Sequence, residues 1–383
     1  MDVIYLDNNA TTAIAPEVYE AMQPYLTKFY GNPSSMYSFG GEVGKKIASA
    51  REEIAALFGA LPEEILITSC GTESDNSAFF TATELQPEKK HLVVSSVEHP
   101  AILNCARFYE SKGYHVTKIP VDDEGRLDLD LYAQALTPDT ALVSIMFANN
   151  ETGTLFPIDT LARMAKDKGI LFHTDAVQAA GKIPIDTKSL PVDMLSFSGH
   201  KLHAPKGIGG LYIRKGLLFR PLIRGGHQER GRRAGTENTA SIVALGAACR
   251  LAQESVRAED NVRILRDRLE QTLLERIPNS RVNGDRAHRL PNTSNISFKN
   301  VEGEAILLML DRYGICASSG SACTSGSLEP SHVLGAMHVP QSFAHGSVRF
   351  SLSRYTKDEE ITKVLETLPG IIETLRKLSP FKS

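Results

Sequence analysis

The feature that most constrains the fold is a pattern that recurs through the middle of the chain. Each time, a short apolar run ends in small and polar residues, and a stretch of helical character follows. The apolar runs cover residues 65–68, 92–95, 141–147, 170–172 and 194–197. Strands that alternate with helices predict a mostly parallel sheet. Ligands bind beyond the carboxyl ends of such strands, and chemically active residue types stand at these ends, so the pattern predicts an α/β enzyme.

The pattern changes after about residue 258, where a long amphipathic helix is predicted to open a second domain. Apolar residues recur there at helical spacing, at Val262, Leu265, Leu269, Leu273 and Ile277, and Pro278 ends the run. A chain of 383 residues is also too long for one small core. We therefore predict a large domain over residues 14–258 and a smaller α+β domain over residues 1–13 and 259–383.

Composition and charge exclude several classes of protein. The net charge is -3, so a nucleic-acid surface is not indicated. No apolar run approaches the roughly 20 residues that a membrane span needs, and no membrane partner is expected. The N-terminus, MDVIYLDNNATT, carries no basic segment and does not resemble a signal peptide. A cytoplasmic protein is expected.

The five cysteines do not form a pattern that predicts disulfide bonds or a metal site. Their number is odd, no CxxC pair occurs, and an intrinsic metal site built from cysteines is therefore not expected. Four of them are predicted to be small core residues, at Cys70, Cys105, Cys249 and Cys316. The fifth, Cys323, stands in a stretch of small polar residues without apolar periodicity, which predicts an exposed and mobile thiol. A redox-inert surface thiol is the alternative.

Three other motifs do not meet the requirements of a ligand site. Residues 40–46 (GGEVGKK) lack the spacing and the final hydroxyl residue of a phosphate-binding Walker loop. Residues 207–210 (GIGG) lack the third glycine of a dinucleotide fingerprint and precede a strand-like run. His173 and Asp175 offer two metal ligands without a third nearby.

Lys201 is the residue that most strongly suggests a specific chemistry. It follows an apolar strand within residues 198–201 (SGHK), and burial in a cleft can lower the pKa of a lysine and make its amine nucleophilic. A lysine that binds pyridoxal 5'-phosphate (PLP) needs phosphate donors, an acid for the pyridine nitrogen and a ring to stack on the cofactor. The chain supplies each of these residue types at a strand end.

The sequence resembles the cysteine desulfurases of the class V aminotransferase group, and among them the nitrogen-fixation (NifS) type. The resemblance covers nearly the whole chain and includes long motifs such as YLDNNATT, TSCGTESDN, VEHPAIL, ANNETGT, HTDAVQAAGK, SFSGHKLHAPKGIGGLY, GGHQERGRRAGTEN, SSGSACTSGSLEPSH and HGSVRFSLSRYT. It implies PLP-dependent transferase fold type I. That fold has a large domain with a mostly parallel seven-stranded sheet flanked by helices, and a smaller α+β domain that carries the Cys323 loop.

The resemblance also implies roles around the cofactor ring. Lys201 would bind PLP covalently, and Asp175 would pair with the pyridinium nitrogen, where a helix N-cap is the alternative reading. Gln178 would reach the ring hydroxyl, unless it is an exposed helical residue. His99 would stack on the ring and move protons with a pKa near 6.5, unless it serves only as a capping or core histidine.

Further residues would hold the phosphate. Gly71 and Thr72 open a helix whose N–H groups and dipole suit an anion, and Ser198 and His200 would add donors. Thr236 would reach the phosphate of a neighbouring subunit, which implies a homodimer.

The substrate would be held by three residues at the mouth of the same site. Arg349 would bind the carboxylate of the substrate, unless it is a surface arginine on a strand. Asn150 would hold the substrate or the ring hydroxyl, and Asn8 would contribute to the same pocket.

The implied reaction converts L-cysteine to L-alanine and leaves the sulfur as a persulfide on Cys323, a step that needs the thiolate. The sulfur would pass to an iron–sulfur scaffold protein of the NifU or IscU type, where Cys323 would contact a cluster transiently. Nitrogenase maturation is favoured over housekeeping delivery. A selenocysteine lyase, a small-molecule aminotransferase and a non-catalytic scaffold are the alternatives.

The chain departs from the family pattern at one place. After GNPSS the family usually has a histidine two residues on, whereas Met36 and Tyr37 stand here. We expect little effect on the core chemistry and a possible difference in substrate entry or scaffold contacts.

Overall fold

The computed structural model describes residues 3–256, 260–319 and 331–379. Within those ranges the strands are β1 (Ile4–Tyr5), β2 (Ile65–Thr68), β3 (His91–Ser95), β4 (His115–Ile119), β5 (Thr140–Ser144), β6 (Leu171–Asp175), β7 (Met194–Ser198), β8 (Gly209–Ile213), β9 (Ser280–Asn283), β10 (Thr293–Phe298), β11 (Ile315–Cys316), β12 (Ser318–Ser319) and β13 (Ser347–Ser351). The helices are α1 (Pro16–Met22), α2 (Pro24–Thr27), α3 (Ser38–Leu57), α4 (Gly71–Leu85), α5 (Pro100–Glu110), α6 (Leu129–Ala135), α7 (Ile158–Asp167), α8 (Thr239–Val256), α9 (Asp260–Arg276), α10 (Gly303–Asp311), α11 (His332–Ala336), α12 (Gln341–Ala344) and α13 (Asp358–Leu378).

The central sheet has seven strands in the order β2-β8-β7-β6-β5-β3-β4. Strands β3 to β7 pair in parallel, whereas β8 runs antiparallel to both β7 and β2. Strands β2, β3, β5, β7 and β8 are buried along their whole length, which explains why they read as continuous apolar runs instead of alternating ones. The predicted mostly parallel, seven-stranded α/β sheet is confirmed.

Helices cover both faces of this sheet and complete two apolar layers. One layer joins side chains of α1, α3, α7 and α8 to the sheet, and the other joins those of α4 and α5. Helices α3 and α8 lie very close together, because a Cβ atom added at Gly246 would come within 2.8 Å of the Cα atom of Ala50. Only glycine permits this separation, so the sequence determines how tightly α8 packs.

The strand-then-helix prediction is wrong after two strands. Behind β6, residues 177–182 form turns, and behind β7 a short 3₁₀ segment, Gly199–Lys201, replaces an α-helix. Asp175 at the end of β6 accepts the backbone N–H of Val177 at 2.8 Å, which stabilises the turn. These two irregular ends leave space beside the sheet that a helix would fill.

A second sheet, β12-β13-β10-β9, lies against α9 and α10, and α13 packs on these two helices. Its apolar cluster contains Leu6 together with residues between 265 and 372. The helix predicted from residue 262 to residue 277 is present as α9. The domain boundaries at residues 13 and 258 stay a prediction, and residues 333–344 contribute apolar side chains to the cluster of the large sheet. In the described residues, no helix is long and apolar enough to cross a membrane.

Candidate active site

A cavity of about 340 Å³ opens at the carboxyl ends of β2, β5, β6 and β7, where β13 and the N-terminal segment approach the large sheet. Ten of the residues predicted from the sequence line it: Gly71, Thr72, His99, Asn150, Asp175, Gln178, Ser198, His200, Lys201 and Arg349. These residues are separated by up to 278 positions, and the crossover connections of the parallel sheet bring them together.

One end of the cavity is formed by the N-terminus of α4. Gly71 is its first residue and Thr72 its second, and their N–H groups have no partner within the helix. A Cβ atom at Gly71 would lie only 2.7 Å from Val177 Cγ2, so the start of α4 packs too closely on its neighbours for a side chain at this lining position. The buried hydroxyl of Ser198 has no hydrogen-bond partner. Free N–H groups, the positive end of a helix dipole and an unpartnered hydroxyl together suit a phosphate.

The floor of the cavity carries two buried carboxyl groups. Burial raises the pKa of Asp175 to about 6, while the N–H of Val177 and the charge of Lys201 oppose that rise. Burial and the neighbouring Asp175 raise the pKa of Asp75 well above its ordinary value. Two such carboxyl groups cannot both ionise readily in one apolar site, so a positive charge beside them is strongly favoured. A cationic ring nitrogen next to Asp175 would supply that charge.

His99 lines the cavity and also caps α5, so the capping reading is correct, while stacking on a cofactor ring stays a prediction. Its Nδ1 accepts the N–H of Ala101 at 3.1 Å, which assigns the ring proton to Nε2. Burial and the nearby charges of Lys201 and His332 lower the pKa of His99 to about 4. The expectation of a pKa near 6.5 is therefore wrong for this site, because burial disfavours the charged ring, and the neutral ring carries a single N–H donor at pH 7.

Lys201 is directed at the N-terminal segment. Its amine donates to the carbonyl oxygens of Asn9 and Ala10, at 2.5 and 2.6 Å. Gln178 donates through Nε2 to the same carbonyl of Asn9 at 2.9 Å. Gln178 is 6% exposed and lies in a turn, so it is not the exposed helical glutamine of the alternative reading.

His200, the residue before Lys201, contacts the same N-terminal segment. Its Nδ1 lies 3.2 Å from the Thr11 hydroxyl. Burial and the charges of Lys201 and Lys206 lower the pKa of His200 to about 4, so its ring is neutral at pH 7.

Arg349 is 4% exposed and enters the cavity from β13. Its Nη2 donates to Asp7 at 2.7 Å and its Nη1 to the Asn150 carbonyl at 3.0 Å. Its Nε is buried without a hydrogen-bond partner. A fixed guanidinium with an unused donor is suited to a carboxylate ligand, and the surface-strand alternative for this arginine is wrong.

Three predicted residues are not brought into this cavity. Asn8 lies outside it, donates to the carbonyls of Tyr5 and Ser351, and lines a neighbouring cavity between the two sheets. Thr236 is exposed on the loop before α8 and does not line the cavity. Cys323 lies outside the described residues.

The described residues on either side of segment 320–330 are attached at the rim of the cavity. On one side, Ser318 pairs with Arg349 across β12 and β13. On the other side, the Ser331 hydroxyl donates to Glu151 at 2.5 Å, and His332 Nε2 lies 3.0 Å from the carbonyl oxygen of Glu98. The described residues that precede and follow this segment are thus held beside the site.

Sequence reasoning missed Asn9, Cys70 and Asp75, which all line the cavity. Asn9 adjoins the predicted Asn8, and Asp75 follows Gly71 by one helical turn, a spacing that places both on one face of α4. Cys70 is half-buried and its sulfur accepts the N–H of Glu73 at 3.4 Å, so the prediction of a core residue is wrong because it caps α4. Cys316 is also only half-buried, whereas Cys105 and Cys249 are buried as expected.

The donor set fits pyridoxal phosphate. An anion site at α4, a buried acid at Asp175, a ring at His99 and an amine at Lys201 surround one cavity, and the unpartnered Ser198 hydroxyl faces it. Together with the sheet topology, this arrangement defines a PLP-dependent enzyme of fold type I.

Comparison with known proteins agrees with that class. Residues 4–364 match the model of the family described as aminotransferase class-V. A cysteine desulfurase of Trichormus azollae is 60% identical over 100% of this chain and 96% of its own length. The cysteine desulfurase NifS of Azotobacter vinelandii is 58% identical over 99% of this chain and 95% of its own length. A solved NifS-like protein superimposes with a TM-score of 0.92 at 39% identity, covering 98% of this chain and 100% of its own.

The chain therefore belongs to the class-V aminotransferase family, whose members are PLP-dependent, and its fold is PLP fold type I.

Proposed function

We propose that the chain is a PLP-dependent cysteine desulfurase of the NifS type, which converts L-cysteine to L-alanine and keeps the sulfur as a persulfide on Cys323. The observation that carries this function is the attachment of both described flanks of segment 320–330 at the rim of the cavity, through Arg349 on one side and Glu151 on the other. The described residues that border the segment of Cys323 thereby lie beside the predicted cofactor site. Cysteine desulfurases identical to this chain at 58–60% of positions support the same reaction.

Residues of the large domain would hold the cofactor. Lys201 is the amine for covalent attachment, and Asp175 keeps the ring nitrogen protonated. Gly71, Thr72, Ser198 and His200 surround the phosphate, and Gln178 approaches the ring oxygen. When bound, PLP supplies an electron sink that makes the α and β carbons of an amino acid reactive.

Substrate binding and proton movement are assigned to the chain's own residues. The free Nε donor of Arg349 receives the carboxylate of cysteine, and Asn150 holds the arginine from behind through its carbonyl oxygen. Lys201, once its amine is released, moves the proton at the substrate Cα. The neutral ring of His99 presents its Nε2 N–H to the reacting groups as a hydrogen-bond donor, and it holds an extra proton only transiently because its charged form has a low pKa.

Cys323 is assigned the sulfur transfer. Its thiolate attacks the sulfur of the bound cysteine, a new S–S bond forms and the C–S bond breaks. The electron pair of that bond stays on carbon, which takes up a proton to give alanine. A thiol without the negative charge would be a poor nucleophile.

The oligomer and the receiving partner are part of the same proposal. Thr236 is exposed and absent from the cavity of its own chain, which suits a residue that completes the phosphate site of a second copy in a homodimer. The persulfide would pass in the cytoplasm to a scaffold of the NifU or IscU type for cluster assembly, with nitrogenase maturation as the favoured destination. The similarity to NifS of Azotobacter vinelandii supports that destination.

The deciding experiment measures alanine released from L-cysteine, with a reductant present, by the wild type, Cys323→Ala and Cys316→Ala. The wild type and Cys316→Ala are expected to turn over many times, and Cys323→Ala is not. Equal turnover by Cys323→Ala would instead point to a lyase. Formation of alanine that depends on an added keto acid would point to an aminotransferase.

A further inference from the structure

Lys182 is a lysine that none of the steps above uses, although its amine lies next to the cofactor cavity. It follows Gln178 by four residues in the turns behind β6. Its Nζ donates to Gln178 Oε1 at 2.9 Å and to Asn9 Oδ1 at 3.1 Å. Burial and the nearby charges of Lys201 and Arg349 lower the pKa of Lys182 well below its ordinary value. Such an amine is costly to place there and is expected to serve a purpose.

The contacts of Lys182 determine which way the Gln178 amide faces. Gln178 Nε2 lies 2.9 Å from the Asn9 carbonyl oxygen, which can only accept a hydrogen bond. The nitrogen of the amide must therefore face Asn9, and its oxygen must face Lys182, which donates to it. The usual ambiguity between nitrogen and oxygen in a glutamine amide is thus resolved by its two neighbours.

This orientation leaves one N–H of Gln178 for the cavity. An amide nitrogen carries two hydrogens, and only one of them is used by the Asn9 carbonyl. Gln178 lines the cofactor cavity, so the second hydrogen is available to an acceptor atom there. The reversed amide would present a carbonyl oxygen instead, which would repel the ring oxygen of the cofactor.

Asn9 keeps its own position when Lys182 is removed, because it has other partners. Its Oδ1 also accepts from Asn292 at 3.1 Å, and its Nδ2 donates to Thr293 at 2.9 Å. The oxygen of Gln178, by contrast, has Lys182 as its hydrogen-bond donor. Loss of the Lys182 amine would therefore act chiefly on Gln178.

We propose that Lys182 is a positioning residue of the cofactor site, which holds the Gln178 amide so that it presents an N–H donor, and not a carbonyl oxygen, to the ring oxygen of PLP. The inference deepens the proposed function and rests on its assignment of Gln178 to the cofactor ring. Lys182 itself does not line the cofactor cavity and acts through Gln178.

The test is a double-mutant cycle on the loaded enzyme, with variants Lys182→Met, Gln178→Leu and the two combined. Cofactor retention is measured by equilibrium dialysis against PLP, and the absorption band of the bound cofactor is recorded for each variant. Loss of one hydrogen bond to a charged oxygen is expected to raise the dissociation constant of PLP about tenfold in Lys182→Met. Lys182→Met and Gln178→Leu are expected to move the band in the same direction.

The cycle separates a positioning role from a purely structural one. If Lys182 acts through Gln178, Lys182→Met has little further effect in the Gln178→Leu background, since the two changes remove the same interaction. Additive effects on the dissociation constant, or an unchanged absorption band in Lys182→Met, would overturn the proposal. Lys188→Met, at an exposed lysine nearby, is the matched control and is expected to retain PLP like the wild type.

A second variant keeps the test decisive if Lys182→Met folds poorly. Lys182→Gln retains a neutral donor, and its retention of PLP and its absorption band are expected to lie between those of the wild type and Gln178→Leu. A Lys182→Gln variant whose PLP retention and absorption band both equal those of the wild type would also contradict the proposal. A wild type that binds PLP but releases no alanine would refute the proposed reaction, while the cycle would still decide the role of Lys182.

Discussion

Asp7 holds Arg349 from the side, with Asp7 Oδ1 2.7 Å from Arg349 Nη2, while Arg349 Nε is buried without a partner. The contact joins the N-terminal segment to β13 across 342 positions of sequence. The Asp7 carboxylate therefore has two effects. It compensates the charge of the buried Arg349 guanidinium, and by occupying Nη2 it leaves Nε as the donor for a ligand.

Asp7→Asn is expected to weaken binding of cysteine more than it slows the reaction, because it loosens Arg349 without removing it. We expect the KM for cysteine to rise about tenfold with kcat changed less than threefold, as for loss of one charge-assisted hydrogen bond. Initial rates of alanine release at varied cysteine concentration measure both parameters. A fall in kcat at constant KM would contradict this role.

Gly71→Ala is expected to impair cofactor binding, because its Cβ atom would lie 2.7 Å from Val177 Cγ2 and displace the start of α4. The dissociation constant of PLP is expected to rise at least about tenfold, as for the loss of one good hydrogen bond to the phosphate. Gly41→Ala, on α3, is the matched control, since a Cβ atom there meets nothing within 4 Å. That control should bind PLP normally and be stabilised by about 0.5–1 kcal/mol.

His99→Ala is expected to lower kcat by about 100-fold or more, as for removal of a group that transfers protons. Because the pKa of His99 is lowered to about 4, no inflection near pH 6.5 from this residue is expected in the wild-type profile of kcat/KM. The pH dependence of alanine release from pH 5 to 9 checks both statements. His115→Ala, at an exposed histidine on β4, serves as the control. An inflection near pH 6.5 that disappears in His99→Ala would show that the ring is charged in the working enzyme.

Glu98 is expected to make the stability of the fold depend on pH. Burial raises the pKa of its carboxyl group from 4.5 to about 8, although Ser95 and Met146 donate hydrogen bonds to it. Below about pH 4.5 this carboxyl group is protonated in both the folded and the unfolded protein, and its contribution to the free energy of unfolding is fully present. That contribution is lost as the pH rises toward 8, because only the unfolded protein releases the proton readily.

The matched variant for this prediction is Glu98→Gln, which cannot titrate. Between about pH 5 and 8, the free energy of unfolding of the wild type should fall by about 1.4 kcal/mol per pH unit relative to that of the variant. Urea denaturation at a series of pH values measures the difference. Parallel curves for the two proteins would mean that the carboxyl group ionises normally in the folded state.

Much of the architecture was predictable because it is encoded locally. The apolar runs that became β2 and β3 end where those strands end. Strand β7 extends one residue beyond its run, to Ser198, and β6 extends three residues beyond its run, to Asp175. Helix α9 likewise follows from its apolar spacing. The run at 141–147 predicts too long a strand, because β5 ends at Ser144 and Ile145 and Met146 beyond it are buried in a loop.

The candidate site was predictable as a set of residues and not as an arrangement. The long motifs named Lys201, Asp175, His99 and Arg349, and the structure places all four around one cavity. The same motifs did not distinguish Asn8 from Asn9, since adjacent residues point in different directions once the backbone turns. Nor did they show that Cys70 caps α4, because a cap is recognised only when the end of its helix is known.

The sequence by itself determined the class of fold, the identity of most residues in the cavity and the family, because each depends on local periodicity or on contiguous motifs. Only the tertiary structure decided that Asn9 joins Lys201, Gln178 and Lys182, that Thr236 lies away from its own site, and that His99 is neutral. These properties depend on distances between segments far apart in the chain and on the exclusion of water from their side chains. Both arise only when the sheets close around the cavity.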